Sequence, residues 1–120
     1  MPLHSQILIR NYHLRLLLAE FYDNQDYLNL LRKIKAKPKS TQRQLAKYLG
    51  FSLGKLNYCL QSLKLKGFVK IRNFRKNPKK INYMYVLTPK GITEKTKLTI
   101  NFMKRKMKEY DELKSELKEK

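Results

Sequence analysis

Between Thr41 and Gly67 two helix-periodic segments are separated by only three residues, Gly50-Phe51-Ser52, and this spacing constrains the fold more than any other feature of the chain. Thr41 followed three residues later by Gln44 is a capping-box pattern, in which each side chain satisfies the other's free backbone N–H. Leu45, Ala46 and Leu49 then share one helical face. Gly50 suits the left-handed position that ends a helix. Phe51 reads as a core plug, and Ser52 as the cap of a second helix from Leu53 to about Lys66. Leu56, Leu60 and Leu63 point that helix inward, and Gly67 ends it. Two short helices joined by a tight glycine turn form the helix-turn-helix pattern.

The flanks complete a larger unit. Upstream, residues 23–37 predict a helix capped by Asp23 or Asn24. Its acids come early and Lys33, Lys35 and Lys37 come late, an order that matches the helix dipole. Tyr27, Leu30, Leu31 and Ile34 form its apolar face, and Pro38 stops it. Downstream, Phe68–Phe74 and Ile81–Leu87 alternate as strands, with Val69 and Ile71 on one face of the first. Their link, Arg75-Lys76-Asn77-Pro78-Lys79-Lys80, carries four positive charges in six residues around a turn-forming Asn-Pro. A basic hairpin directly after a helix-turn-helix is a wing. Thr88-Pro89 starts a last helix, about 30 residues or roughly 45 Å long. A small winged domain cannot cover that length. The exposed remainder of its apolar stripe, Ile100, Met103, Met107, Tyr110, Leu113 and Leu117, is therefore expected at a homodimer interface. In the first 21 residues, Ile7, Leu8, Tyr12, Leu16, Leu17 and Phe21 keep a rough helical period and are expected to pack on the body or on a second copy. The reading is a mainly α fold with a small β-hairpin: an N-terminal extension (1–21), a winged helix-turn-helix domain (22–89) and a C-terminal dimerisation helix (90–120).

Charge narrows the partner. With 28 Lys and Arg against 9 Asp and Glu, the net charge is +19 on 120 residues. From Tyr27 to Thr93 there is no carboxylate, while the same stretch holds 17 Lys and Arg. Ordinary surfaces intersperse both signs, whereas a surface that meets phosphates excludes acids that would repel them. A hydrophobic content of 42% puts this charge on a folded body rather than a disordered tail. Glu109, Glu112, Glu116 and Glu119 disfavour a membrane-surface role for the last helix. Cys59 is alone and has no disulfide partner, which fits a reducing cytoplasm, and it reads as a packing residue rather than a redox sensor. His4, His13 and Cys59 make no zinc site. No glycine-rich phosphate loop or nucleophile elbow occurs, so the chain is not expected to be an enzyme or to hold a cofactor or metal. The apolar run Leu14–Ala19 is too short and interrupted to span a membrane. No convergent polar cluster marks a ligand pocket, and a small-molecule effector stays unassigned.

The runs TQRQLAKYLGFSLGKLNYCLQSLKLKGFVKIRNF and LTPKGITEKTKLTINFMKRKM carry a family resemblance. Ser52-Leu53-Gly54-Lys55, Asn57-Tyr58-Cys59, Val69–Arg75 and Leu87-Thr88-Pro89-Lys90-Gly91-Ile92 are its most specific pieces. Over Asp23–Leu117 the chain closely resembles the MarR-type family of exopolysaccharide-associated transcriptional regulators. The resemblance implies a dimeric winged helix-turn-helix protein that binds double-stranded DNA and regulates transcription, in the cytoplasm with the nucleoid.

Residue chemistry then assigns roles. The helix Leu53–Lys66 is expected in the major groove, its N-terminal residues nearest the bases. Asn57 and Gln61 suit adenine, Lys55 suits guanine or a phosphate, and Tyr58 suits a sugar or a thymine methyl. Gly54, which weakens a helix in its first turn, is either a side-chain-free spot where backbone and DNA approach closely or a tolerated weakness. Thr41, Gln42, Arg43 and Ser52 are expected on phosphates. Arg72, Arg75, Lys76, Lys79 and Lys80 are expected to carry the wing along the backbone or into the minor groove. The alternative is a winged-helix protein that binds nucleic acid without sequence preference, as part of the nucleoid or on RNA. The uncharged polar set Asn57, Tyr58 and Gln61 argues against it, because a backbone binder needs mainly Lys and Arg.

Overall fold

The computed structural model describes residues 24–78 and 80–119. The N-terminal extension (1–21), the Asp23 cap and Lys79 lie outside the described residues.

Three helices form the body: α1 (Asn24–Ala36), α2 (Gln42–Leu49) and α3 (Leu53–Leu65). They are followed by the strands β1 (Val69–Asn77) and β2 (Lys80–Leu87) and the 30-residue helix α4 (Pro89–Lys118). The helix boundaries follow local chemistry. Thr41 Oγ1 accepts from the Gln44 N–H at 3.1 Å while Gln44 Oε1 accepts from the Thr41 N–H at 2.9 Å, so the capping box is complete. Gly50 ends α2 at φ 69°, with its N–H directed to the carbonyls of Ala46 and Lys47. Ser52 Oγ accepts from the Lys55 N–H at 3.1 Å and opens α3.

The core lies where the three short helices converge. Leu30, Leu31 and Ile34 of α1 meet Leu45 and Ala46 of α2 and Leu56, Cys59, Leu60 and Leu63 of α3, and Val69 closes the cluster from the hairpin. Each fully buried leucine contributes roughly 1.5–3 kcal/mol of transfer free energy. Tyr85, Leu87 and Leu98 pack on the margin of this core. Leu98 is the α4 residue that reaches it, and the sequence stripe omits it.

The hairpin departs from expectation at its tip. The six-residue basic link is mostly strand: antiparallel pairing runs unbroken from Val69↔Leu87 to Arg75↔Ile81, shifts by one residue, and resumes at Asn77↔Lys80. Lys76 is the extra residue of that bulge. An inserted residue increases local twist while pairing continues, so only Pro78 and Lys79 separate the strands. Ile71, expected to share Val69's buried face, is 41% exposed, because the core ends beneath Val69 and the hairpin projects beyond it.

α4 leaves the body at a tight joint. Thr88 caps it, Oγ1 accepting from the Gly91 N–H at 3.0 Å and donating to the Gly67 carbonyl. The Thr88 N–H donates to the Phe68 carbonyl at 3.0 Å. Gly91 is buried against that same carbonyl: a Cβ there would stand 1.9 Å from the Phe68 oxygen. From Met103 to Glu119 every residue of the helix is exposed.

Candidate nucleic-acid interface

Two helix N-termini and the hairpin bring most of the expected contact residues to the molecule's surface. On α3 the spacing i, i+3, i+7 sets Gly54, Asn57 and Gln61 on one face, and all three are exposed. Tyr58 beside them is half-buried. A Cβ at Gly54 would meet no atom within 4 Å, so nothing within the chain requires glycine at this position.

Lys55 sits differently from the sequence expectation. One residue on from Gly54, it is turned about 100° around the helix, toward α1. Its Nζ lies 3.0 Å from the Asp26 carboxylate and 4.4 Å from the centre of the Phe51 ring. The side chain therefore ties the start of α3 to the start of α1. Gln42 is likewise engaged within the fold: its Nε2 donates to the Tyr85 hydroxyl at 2.9 Å and ties α2 to the wing. The Thr41 and Ser52 hydroxyls accept their cap bonds and remain exposed, and Arg43 is exposed beside them.

On the wing, Arg72 and Arg75 are both exposed. Strand alternation sends them to opposite faces of the hairpin, since the register is unbroken between them. The Arg75 guanidinium also donates to the Pro78 carbonyl across the turn, at 3.4 Å. Lys76 falls at the bulge and Lys80 opens β2. Arg72 and Arg75 thus lie on opposite faces of the hairpin rather than on one side.

Sequence reasoning missed three participants. Asp26 and Tyr85 hold Lys55 and Gln42, partners 29 and 43 positions away in the chain, and no local pattern could reveal them. The third is a basic cleft of about 530 Å³ between α1, α2 and the first turns of α4, lined among others by Arg32, Lys33, Lys35, Tyr48 and Lys95. The ammonium groups of Lys33 and Lys37 stand 5.2 and 5.1 Å from the centre of the Tyr48 ring. Only the packing of three separate helices assembles this cleft, which is why the linear reading found no convergent cluster.

Cys59 is fully buried in α3. Burial pushes its thiol up to about 11, the nearby Asp26 charge adds to that, and Lys55 and a hydrogen bond with Tyr27 partly oppose it. A thiol protonated at neutral pH is a poor nucleophile. Among the described residues no cluster could hold a metal ion, and no helix is long and apolar enough to cross a membrane.

Residues 28–70, which include α2 and α3, match a family profile described as winged helix-turn-helix DNA-binding. Solved structures similar to much of the chain include bacterial proteins of the winged helix-turn-helix fold. PcaV of Streptomyces coelicolor aligns over 66% of this chain and 57% of its own, at 15% identity and a TM-score of 0.56. Lactococcus lactis ZitR, solved in complex with DNA, aligns over 73% of this chain and 57% of its own, at 18% identity and TM-score 0.52. Streptococcus pneumoniae FabT, also in complex with DNA, aligns over 73% and 59%, at 23% identity and TM-score 0.51. The chain has the fold of the MarR-type winged helix-turn-helix regulators. It spans less than three fifths of the length of each of these three. No curated protein sequence matches it. The matching profile is that of a winged helix-turn-helix DNA-binding segment.

Proposed function

We propose that the protein is a sequence-specific double-stranded DNA-binding transcription regulator that acts as a homodimer. In this reading α3 enters the major groove and the wing follows the backbone or the minor groove. The observation that carries it is the outward face of α3. Asn57 and Gln61 stand exposed there as uncharged bidentate groups, suited to adenine edges, beside the side-chain-free Gly54. Around them Thr41, Arg43, Ser52 and Arg72 are exposed, on a stretch of chain without carboxylates. Asp26, the nearby acid, is paired with Lys55. Two neighbours of the same fold, ZitR and FabT, are solved in complex with DNA, which supports DNA as the partner. Dimerisation rests on α4, whose exposed Ile100, Met103, Met107, Tyr110, Leu113 and Leu117 form an apolar stripe that one copy of the chain leaves in water. Such a role requires a location in the cytoplasm with the chromosomal DNA.

The test is selection of sheared genomic DNA by the purified full chain at about 150 mM salt, where phosphate attraction alone is already weakened. An enriched motif with two-fold symmetry is the expected result. Retention of DNA without any motif would move the protein to the non-specific binders and remove the base-reading roles of Asn57 and Gln61.

A further inference from the structure

The end of α1 carries cations that the reading face of α3 and the wing do not use. Arg32, Lys33, Lys35, Lys37 and Lys39 fall within eight residues. Three of them line the basic cleft of about 530 Å³ together with Lys95 of α4, and no carboxylate lines it. None of Arg32, Lys33, Lys35 and Lys95 forms an ion pair with a described acid. Lys33 and Lys37 stand 5.2 and 5.1 Å from the centre of the Tyr48 ring, so two positive charges converge on one half-exposed aromatic. The helix dipole accounts for cations in the last turn of α1. It gives no reason for Lys95, which lies in the second turn of a different helix, toward its positive end.

The cleft borders the expected contact surface. Lys37 precedes the Thr41 cap of α2 by four residues, so their Cα atoms lie no more than about 14 Å apart. Lys39 falls on that loop. Along α2, Arg43 and Lys47 share one face at the i, i+4 spacing, both exposed, and Tyr48 follows directly. Loop and helix each carry positive charge from the α2 N-terminus to the cleft.

We propose that this cationic path and the cleft bind the backbone phosphates of DNA flanking the operator, with the duplex bent around the body toward α1. The proposal rests on the DNA-binding reading above and extends its footprint beyond the bases that α3 reads. A duplex held at α3 continues on either side of the groove, and its nearest outer phosphates are drawn to the cations of the cleft. Bending toward them costs deformation energy, which the added contacts offset. Ammonium and guanidinium groups meeting phosphate carry no direct base information. The flank therefore adds affinity according to its charge and its ease of bending rather than its hydrogen-bonding edges.

The test compares two duplexes bearing the motif enriched in the selection above, one trimmed to the motif and one extended on each side by about 10 base pairs, one helical turn. Three added phosphate contacts per complex steepen the fall of log affinity with log salt by about 3, so the gain from flanks should shrink roughly 40-fold between 50 and 200 mM salt. The variant Lys33→Gln/Lys37→Gln/Lys95→Gln should select the same motif and bind the trimmed duplex like the wild type, yet gain nothing from the flanks. The variant Lys33→Arg/Lys37→Arg/Lys95→Arg keeps the charges and should keep the gain. Fragments with the motif at the centre or at one end should differ in gel mobility when bound by the wild type, reporting the bend, and not when bound by the Gln variant. A wild type that gains nothing from flanks, or a Gln variant that gains as much, overturns the proposal. Tripolyphosphate is the probe for a free ligand: binding to the wild type and not to the Gln variant, with no gain from flanks, would assign the cleft to a soluble phosphate compound instead. Selection without a motif removes the operator and this proposal with it. A wild-type chain that retains no DNA overturns the DNA-binding reading as well.

Discussion

Replacing Gly91 with alanine should destabilise the protein, although alanine is the better helix former. In an unobstructed helix interior the change adds about 1 kcal/mol of stability. At Gly91 the new Cβ would lie 1.9 Å from the Phe68 carbonyl oxygen and 2.8 Å from its carbon, both backbone atoms. Ordinary contact begins near 3.4 Å, so α4 must retreat by about 1.5 Å. That oxygen accepts the Thr88 N–H, and Thr88 in turn caps α4 and bonds the Gly67 carbonyl. Retreat therefore strains a cap worth about 0.5–2 kcal/mol and two further hydrogen bonds worth about 0.5–1.5 kcal/mol each. Set against the propensity gain, the expected net loss is about 0.5–4 kcal/mol. Urea unfolding followed by circular dichroism reads this as a lower midpoint at unchanged slope. A Gly91→Ala chain as stable as wild type, or more so, would show that the joint is not closely packed and would remove the argument that Phe68 fixes where α4 departs.

Gly54→Ala should do the reverse, stabilising the chain by about 0.5–1 kcal/mol because nothing obstructs the methyl group. If DNA backbone approaches α3 closely at this point, the same variant should bind DNA more weakly, and unchanged binding in a gel-shift titration would make Gly54 a tolerated weakness. Asn57→Ala should relax base preference at one position of each half-site by about 1–3 kcal/mol, whereas Arg72→Ala should weaken all sequences alike and flatten the salt dependence; sequence selection with each variant separates the two. Tyr85→Phe removes the acceptor of Gln42; a double-mutant cycle with Gln42→Ala should give a coupling of about 0.5–1.5 kcal/mol in unfolding experiments, and a coupling of zero would mean the bond does not tie α2 to the wing. Cys59 makes the fold sensitive to alkali: its thiol is raised from 9.0 to about 11 in the folded chain, so the unfolded chain ionises first. Its contribution is complete below pH 9 and declines by up to about 3 kcal/mol as pH rises through 11. Cys59→Ala should show a shallower loss over that window than wild type, and identical slopes would contradict the burial argument.

Much of this fold is legible in the chain because its decisive signals are local. Thr41 with Gln44, Gly50, Ser52 and Thr88-Pro89 each act within about four residues, and all take the positions their chemistry predicts. Leu45 of α2 and Leu56, Leu60 and Leu63 of α3 face inward because a period of 3.6 leaves them one way to be buried. Where the reading fell short, the cause is non-local or cumulative. The hairpin tip was read as loop from its charge and its Asn-Pro. Pairing nevertheless extends to Asn77, because a bulge absorbs Lys76 without ending the ladder. Lys55 is expected on guanine or a phosphate, and the linear pattern gives no sign of the tie it also makes within the fold. Asp26 supplies a partner that only the packing of α1 against α3 reveals. Gly91 was legible as part of a family signature but not as a steric necessity, which depends on a carbonyl 23 residues earlier in the chain.

These non-local ties have a shared consequence for how the surface works. Lys55 with Asp26 anchors the start of α3 to α1, Gln42 with Tyr85 anchors the start of α2 to the wing, and Thr88 with Phe68 and Gly67 anchors α4 to the turn between α3 and β1. Each tie joins elements that would otherwise touch mainly through apolar side chains, which resist separation but slide with little directional preference. Hydrogen bonds and ion pairs are directional and fix angles as well as distance. A reader of DNA gains from this, because ordering side chains and elements at the moment of binding subtracts from affinity. Lys55 and Gln42 thereby hold the surface that the exposed residues of α2 and α3 form. The uncharged groups left exposed on α3, Asn57 and Gln61, are the ones whose hydrogen-bonding patterns distinguish one base pair from another.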